Sequence, residues 1–181
     1  VNFFNSNEME LFAADRVNTH GGSIRGMVQF KDGPNSINGS VQSLVEYEYG
    51  LGLNLSQTWV GYAKKINVLR KKLVNLLTSL RKAGKTLAGY GAPAKATTLM
   101  YHFNIGPNII DFISDDAPLK QGLFTPGLHI PILSSNAIYE KKPDYLILLA
   151  WNFAPQIIQR HQAYLNNGGH FIVPLPEVRI I

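Results

Sequence analysis

Between residues 11 and 30 two strand-like runs, 11–17 and 23–30, flank the tripeptide His20-Gly21-Gly22. That pattern predicts a β-hairpin bent at the glycines. A lone pair of strands is marginal in water, so the hairpin is expected either to dock on the rest of the chain or to be the remainder of a larger sheet. Residues 31–40, rich in Gly, Pro, Asn and Ser, read as a linker, and a boundary is placed there. Ser40 is positioned to cap a short helix over 41–49, and Ser56 a long one ending near Gly84. In the long one Val60, Ala63, Ile66, Leu69, Leu73, Leu76, Leu77 and Leu80 recur at steps of three and four, which predicts an amphipathic helix.

Beyond Gly84 the pattern becomes short apolar runs separated by helical stretches: strand 86–90, helix 94–103, strand 109–114, strand 145–150, helix 155–165 and strand 171–173. Strands alternating with helices imply βαβ units. The predicted fold class is therefore α/β, a Rossmann-like, mostly parallel sheet with flanking helices, preceded by the hairpin and the long amphipathic helix. A chain of 181 residues accommodates one such core and at most a small piece beside it.

With 45% hydrophobic and 16% charged residues the chain falls in the ordinary globular class rather than the disordered one. Apolar runs such as 145–150 are far shorter than the ~20 residues of a membrane-spanning helix, so no span is expected. The first residues lack the features of a secretory leader, which points to the cytoplasm. Absence of cysteine removes disulfides and thiolate metal sites, and no histidine pair has metal-ligand spacing, so no metal is expected. The net charge of +5 raises the question of nucleic acid. Its cations, however, gather between Lys64 and Lys85 on the face of the long helix opposite the apolar stripe, as on an ordinary wet helix face.

Chemistry concentrates at two places. Gly89-Tyr90-Gly91-Ala92-Pro93-Ala94-Lys95 lies between a strand and a helix, where glycines permit a tight turn and close backbone approach, and where free N–H groups and Lys95 face an anion. Asp115 and Asp116, after the second strand, stand where dinucleotide-binding folds place a ribose-binding acid, although Asp-Asp-Ala-Pro is also ordinary turn composition. At the hairpin bend His20 can act as a general base, with room for a substrate beside two glycines. His102, His129, His161 and His170 are taken as structural or surface residues.

Taken together, His20-Gly-Gly-Ser-Ile-Arg25, Gly89-Tyr-Gly-Ala-Pro-Ala-Lys95, Leu119-Lys-Gln-Gly122, Thr125-Pro-Gly-Leu-His-Ile-Pro131, Lys142-Pro-Asp-Tyr145, Trp151-Asn152 and Phe171-Ile-Val-Pro174 resemble the C-terminal region of the S-adenosylmethionine-dependent sugar C-methyltransferases. The resemblance implies that residues 1–39 are the closing strands of a methyltransferase domain, left over as the hairpin, and that 40–181 form a helical linker and a Rossmann-like nucleotide-sugar-binding domain. It implies that His20 removes a proton beside the keto group of a nucleotide-diphosphate sugar. Gly89, Tyr90, Gly91, Lys95 and Lys120 would then bind that substrate. S-adenosylmethionine would be held by the N-terminal methyltransferase domain of the same polypeptide, so no cofactor is expected in this chain and it should be inactive alone. Two other readings stay open: an NAD(P)-binding oxidoreductase domain built on the glycine loop and Asp115, and a non-catalytic assembly module using the basic helix.

Overall fold

The two early strand-like runs pair with each other. In a computed structural model, which describes residues 1–181, the chain forms two units, Val1–Lys64 and Lys65–Ile181. The first holds a single helical turn, α1 (Asn2–Asn5), then strands β1 (Met9–Val17) and β2 (Ser23–Phe30) in an antiparallel ribbon, in register from Met9 opposite Phe30 to Val17 opposite Ser23. Helix α2 (Gly39–Gly50) packs on β1, where Ala13 and Ala14 are buried.

Ser40 is not the cap expected of it. Asn38 holds that position, its side-chain oxygen accepting from the Ser40 N–H at 2.9 Å. The Ser40 hydroxyl oxygen accepts instead from the Ala14 N–H at 2.9 Å, close to the irregular register at Leu11–Ala13. The serine thus satisfies a strand donor that the bulged ladder leaves open, and the asparagine takes over the helix end.

Helix α3 (Ser56–Lys82) leads into the second unit. There β3 (Leu87–Tyr90), β4 (Ile113–Ser114), β5 (Ile132–Leu133), β6 (Tyr145–Leu148), β7 (His170–Val173) and β8 (Arg179–Ile180) form one sheet in the order β5-β4-β3-β6-β7-β8, parallel except for β8. The mixed α/β class with a mostly parallel, helix-flanked sheet is as expected. Period-2 alternation divides its side chains between two cores. Leu87, Ile147 and Ile172 join Leu73 and Leu77 of α3 and Leu99, Met100 and Phe103 of α4 (Ala94–Phe103) on one face. Ala88, Tyr90, Leu146, Leu148, Phe171 and Val173 face α5 (Ala137–Lys141), α6 (Ala154–Arg160) and α7 (Gln162–Asn166) on the other.

Two expected elements differ. The apolar run 109–114 yields only a two-residue strand, because Ile109 and Ile110 close a turn onto the Gly106 carbonyl before β4 begins. The helix expected over 155–165 breaks into α6 and α7 at His161, whose φ of −108° and ψ of 32° are non-helical.

At the opposite end of the sheet from the candidate loops, Asp144 ties β3 to β6. It accepts from the Thr86 N–H (2.8 Å), the Thr86 hydroxyl (2.7 Å) and Lys85 Nζ (3.0 Å). Those donors, the Thr86 backbone first, pull its carboxyl down to about 2. With the folded value depressed, the stabilisation is present above the ordinary carboxylate range and disappears as the pH falls through about 2. Asp144→Asn is expected to lower stability at neutral pH by about 1 kcal/mol, discounted for partial exposure, with the gap from the parent closing in acid urea titrations.

Candidate functional site

Strand β3 has β4 and β5 on one side and β6 and β7 on the other. The chain leaves β3 toward β4 and leaves β6 toward β7, in opposite directions, which makes the β3/β6 carboxyl edge a topological switch point, where open parallel sheets bind ligands. The loop after β3 passes close against the one after β6. Gly91 has φ +86°, and a Cβ there would come within 2.7 Å of the Ala150 Cβ, so both backbone conformation and packing require glycine. Gly89 lies within β3, where a Cβ would meet Leu149 and Ile113 below 3.0 Å. Tyr90 is buried, its carbonyl accepting from the N–H groups of Leu149 and Ala150. Gly89, Tyr90 and Gly91, all buried, therefore shape the loop from within, and its accessible part is Ala92–Lys95.

Lys95 stands in the first turn of α4, the end of a helix where a cation is electrostatically misplaced. Its Nζ lies 4.4 Å from the centre of the Trp151 ring, no carboxylate pairs with it, and burial lowers its pKa. A partly desolvated cation beside free helix N–H groups suits an anion. Trp151, which supports this lysine from the β6 loop, had no role assigned from sequence. The pair Trp151-Asn152 carried only a resemblance, and the close approach of the two loops gives the ring its role.

Lys120 and Asp115 meet. Asp115 is 7% exposed; its carboxylate accepts from the Ala92 N–H (2.6 Å), the Ala117 N–H (2.8 Å) and Lys120 Nζ (3.1 Å). Burial pushes its carboxyl up, but the two backbone donors and the ammonium outweigh that and hold it below the usual carboxylate range. These bonds fix the loop after β3 to the turn after β4. They also engage both oxygens of a nearly buried carboxylate. No group of three or more His, Cys, Asp or Glu side chains is arranged to hold a metal ion.

His161, expected to be structural or on the surface, is 4% exposed and bonded at both ring nitrogens: Nδ1 to the Tyr139 hydroxyl (2.8 Å) and Nε2 to that of Tyr90 (3.0 Å). The Tyr90 hydroxyl also donates to Asp116 Oδ2 (2.9 Å), which Arg160 Nη1 meets at 2.6 Å. An isolated histidine between Arg160 and Gln162 gives no sequence signal of this, since its partners come from distant segments.

In the first unit, His20 lies in a 3₁₀ turn, Thr19–Gly21, with φ 53°. Gly21 and Gly22 follow with φ 90° and 125°, and the turn closes through the Gly22 N–H and the Ser23 hydroxyl, both donating to the Thr19 carbonyl. Three successive left-handed residues carry the histidine to the exposed tip of the ribbon, a conformation that costs a non-glycine residue about 1 kcal/mol or more. Such strain is a common mark of functional turns.

Residues 18–176 match the family of the C-methyltransferase C-terminal domain. The chain is also 36% identical over 178 residues to the C-methyltransferase NovU of Streptomyces niveus, an alignment covering 98% of this chain and 42% of that protein. It thus spans less than half the length of that relative. No helix is long and apolar enough to cross a membrane. The loops at the switch point and the strained histidine turn therefore sit in a chain that belongs to the C-methyltransferase C-terminal domain family.

Proposed function

We propose that this chain is the C-terminal part of a cytoplasmic S-adenosylmethionine-dependent C-methyltransferase acting on a nucleotide-linked keto sugar. The Rossmann-like second unit grips the nucleotide diphosphate, and His20 is the general base. The observation that carries the nucleotide part is Lys95: half-buried, without a carboxylate, at the N-terminal turn of α4. Gly91 keeps the loop tight against the one after β6, and Lys120, whose charge Asp115 meets, adds a hydrogen-bond donor at the same sheet edge rather than a second free charge.

The carbonyl of a keto sugar acidifies the neighbouring C–H. His20 takes that proton onto a ring nitrogen, and the C–H electron pair becomes an enolate. S-adenosylmethionine, when bound, would supply the methyl group that the enolate carbon takes, the S–C bonding pair staying with sulfur. That methyl donor binds to a part of the enzyme outside this chain. The β1–β2 ribbon supports the division of labour: a two-stranded sheet is marginal by itself, and Ile24 and Phe30 on it are 57% and 75% exposed, which suits residues 1–39 as closing strands of a larger methyltransferase sheet.

Lys95→Ala is expected to weaken thymidine diphosphate binding to the purified chain about ten- to a hundredfold, the worth of a charge-assisted phosphate contact. Stability without ligand should barely change, because the lost cation–π contact and the relieved helix-end repulsion are of similar size and opposite sign. Titration calorimetry and thermal melting read the two effects. Stabilisation of the parent by NAD rather than by thymidine diphosphate would replace this reading with the oxidoreductase one. A specific oligomer or protein partner with no response to either nucleotide would replace it with the assembly module.

A further inference from the structure

The chain of hydrogen bonds from Tyr139 to Arg160 has a direction. Asp116 beside a guanidinium is an acceptor only, so the single Tyr90 hydroxyl proton points at Oδ2. That hydroxyl must then accept from His161 Nε2–H, which leaves Nδ1 as the acceptor for the Tyr139 hydroxyl. Every polar atom of the neutral imidazole is paired. Burial, the largest influence on it, lowers the pKa of His161 and favours that neutral form.

The outcome lies at the end of the chain. Asp116 Oδ2 takes both donors, and Oδ1 accepts no hydrogen bond from the protein. Arg160 meets Asp116 through Nη1 and also reaches the Tyr90 hydroxyl, and at 63% exposure the remainder of its donor fork faces solvent. The two side chains are 47% and 63% exposed, and Asp116 follows β4 on the same carboxyl edge as the Gly91–Lys95 loop. The pair has no net charge, unlike Lys95, and therefore offers little to a phosphate. It offers a fixed acceptor beside fixed donors, the complement of a neutral group that both donates and accepts. An exposed ion pair of this kind ordinarily contributes little to stability. Behind it a buried histidine and tyrosine, bonded to each other and to Asp116, hold its acceptor in one place.

The geometry points to Asp116 and Arg160 as a specificity subsite for the nucleoside half of the ligand, binding its hydroxyls or its base edge, with Tyr90 and His161 as positioning residues that hold Asp116 in place. This rests on the nucleotide-binding reading above and deepens it. Lys95 grips the diphosphate; Asp116 and Arg160 tell what is attached to it.

Calorimetry with inorganic pyrophosphate, thymidine diphosphate and uridine diphosphate on the purified chain separates the two. Asp116→Asn and Arg160→Ala are each expected to weaken one or both nucleoside diphosphates about tenfold and to leave pyrophosphate unchanged, the loss of one hydrogen bond to a charged group. A larger loss for uridine than thymidine diphosphate assigns the subsite to the ribose 2′-hydroxyl; equal losses assign it to groups that the two nucleosides share. Tyr90→Phe keeps the ring packing and removes the donor to Asp116, so it should give the same selective loss in a folded protein. His161→Leu should do likewise. His161→Gln should restore binding, because its amide can accept from Tyr139 and donate to Tyr90. Equal losses for pyrophosphate and nucleotides, or no loss in any variant, would overturn the subsite while leaving the Lys95 reading intact. If the parent bound no pyrophosphate and no nucleotide, the nucleotide reading would fall and the subsite with it.

Discussion

His20→Ala in the full-length enzyme is expected to lower methyl-transfer turnover by about 10²- to 10⁴-fold, the usual contribution of a positioned general base. Binding of the nucleotide sugar, assigned to Lys95 and its neighbours in the other unit, should stay within about threefold, because a base that acts in the transition state contributes little to ground-state affinity. Local geometry motivates the size. The imidazole is carried at the tip of a ribbon by three residues of positive φ, two of them glycines. The Gly22 N–H and the Ser23 hydroxyl close the turn on the Thr19 carbonyl. Thermal melting of the variant separates lost chemistry from a disturbed ribbon. Single-turnover methyl transfer from labelled donor, compared with calorimetric sugar affinity, separates turnover from binding. Turnover within threefold of the parent would sink the assignment.

The second large effect is on stability. Asp115→Ala is expected to cost about 2–4 kcal/mol, because it leaves the Ala92 and Ala117 N–H groups and the Lys120 ammonium without the acceptor that they share. For a chain of this size the loss corresponds to roughly 10 °C in thermal midpoint. A sign follows for pH. The folded carboxyl is held below its ordinary range, so its contribution is present above that range and is lost as the pH falls through the lowered folded value. Parent and variant should therefore converge in acid and differ most at neutral pH. Because the same carboxylate anchors the loop after β3, the variant should also weaken thymidine diphosphate binding even at temperatures where it remains folded.

Local pattern carried much of the second unit. The runs at 86–90, 145–150 and 171–173 are apolar and uninterrupted, and such runs between helical stretches become parallel strands buried on both faces. Leu73 and Leu77 were legible in the same way, from a step of four on a long helix, and both are fully buried. The two-residue strands β5 and β8 were not legible, since two residues have no period to detect. The run at 109–114 was read as a single strand because apolar character alone does not distinguish a turn that enters the core from a strand within it.

The candidate chemistry divides in the same manner. His20 and the Gly91–Lys95 loop stood out because glycine beside a polar residue is a local signal of unusual backbone, and the positive φ values at His20, Gly21, Gly22 and Gly91 are local facts. Trp151 under Lys95, Asp115 clamping Ala92, and the chain from Tyr139 through His161 and Tyr90 to Asp116 were not legible. Each joins residues that are tens of positions apart, brought together because parallel strands end at a common edge. Which acid is engaged and which retains an open oxygen depends on donors supplied by other segments. Sequence by itself determined where the longer strands and helices and the strained turn lie, since those follow from the side chains nearest in the chain. Only the tertiary structure decided which polar groups meet, because hydrogen bonds act over about 3 Å in space whatever the separation along the chain.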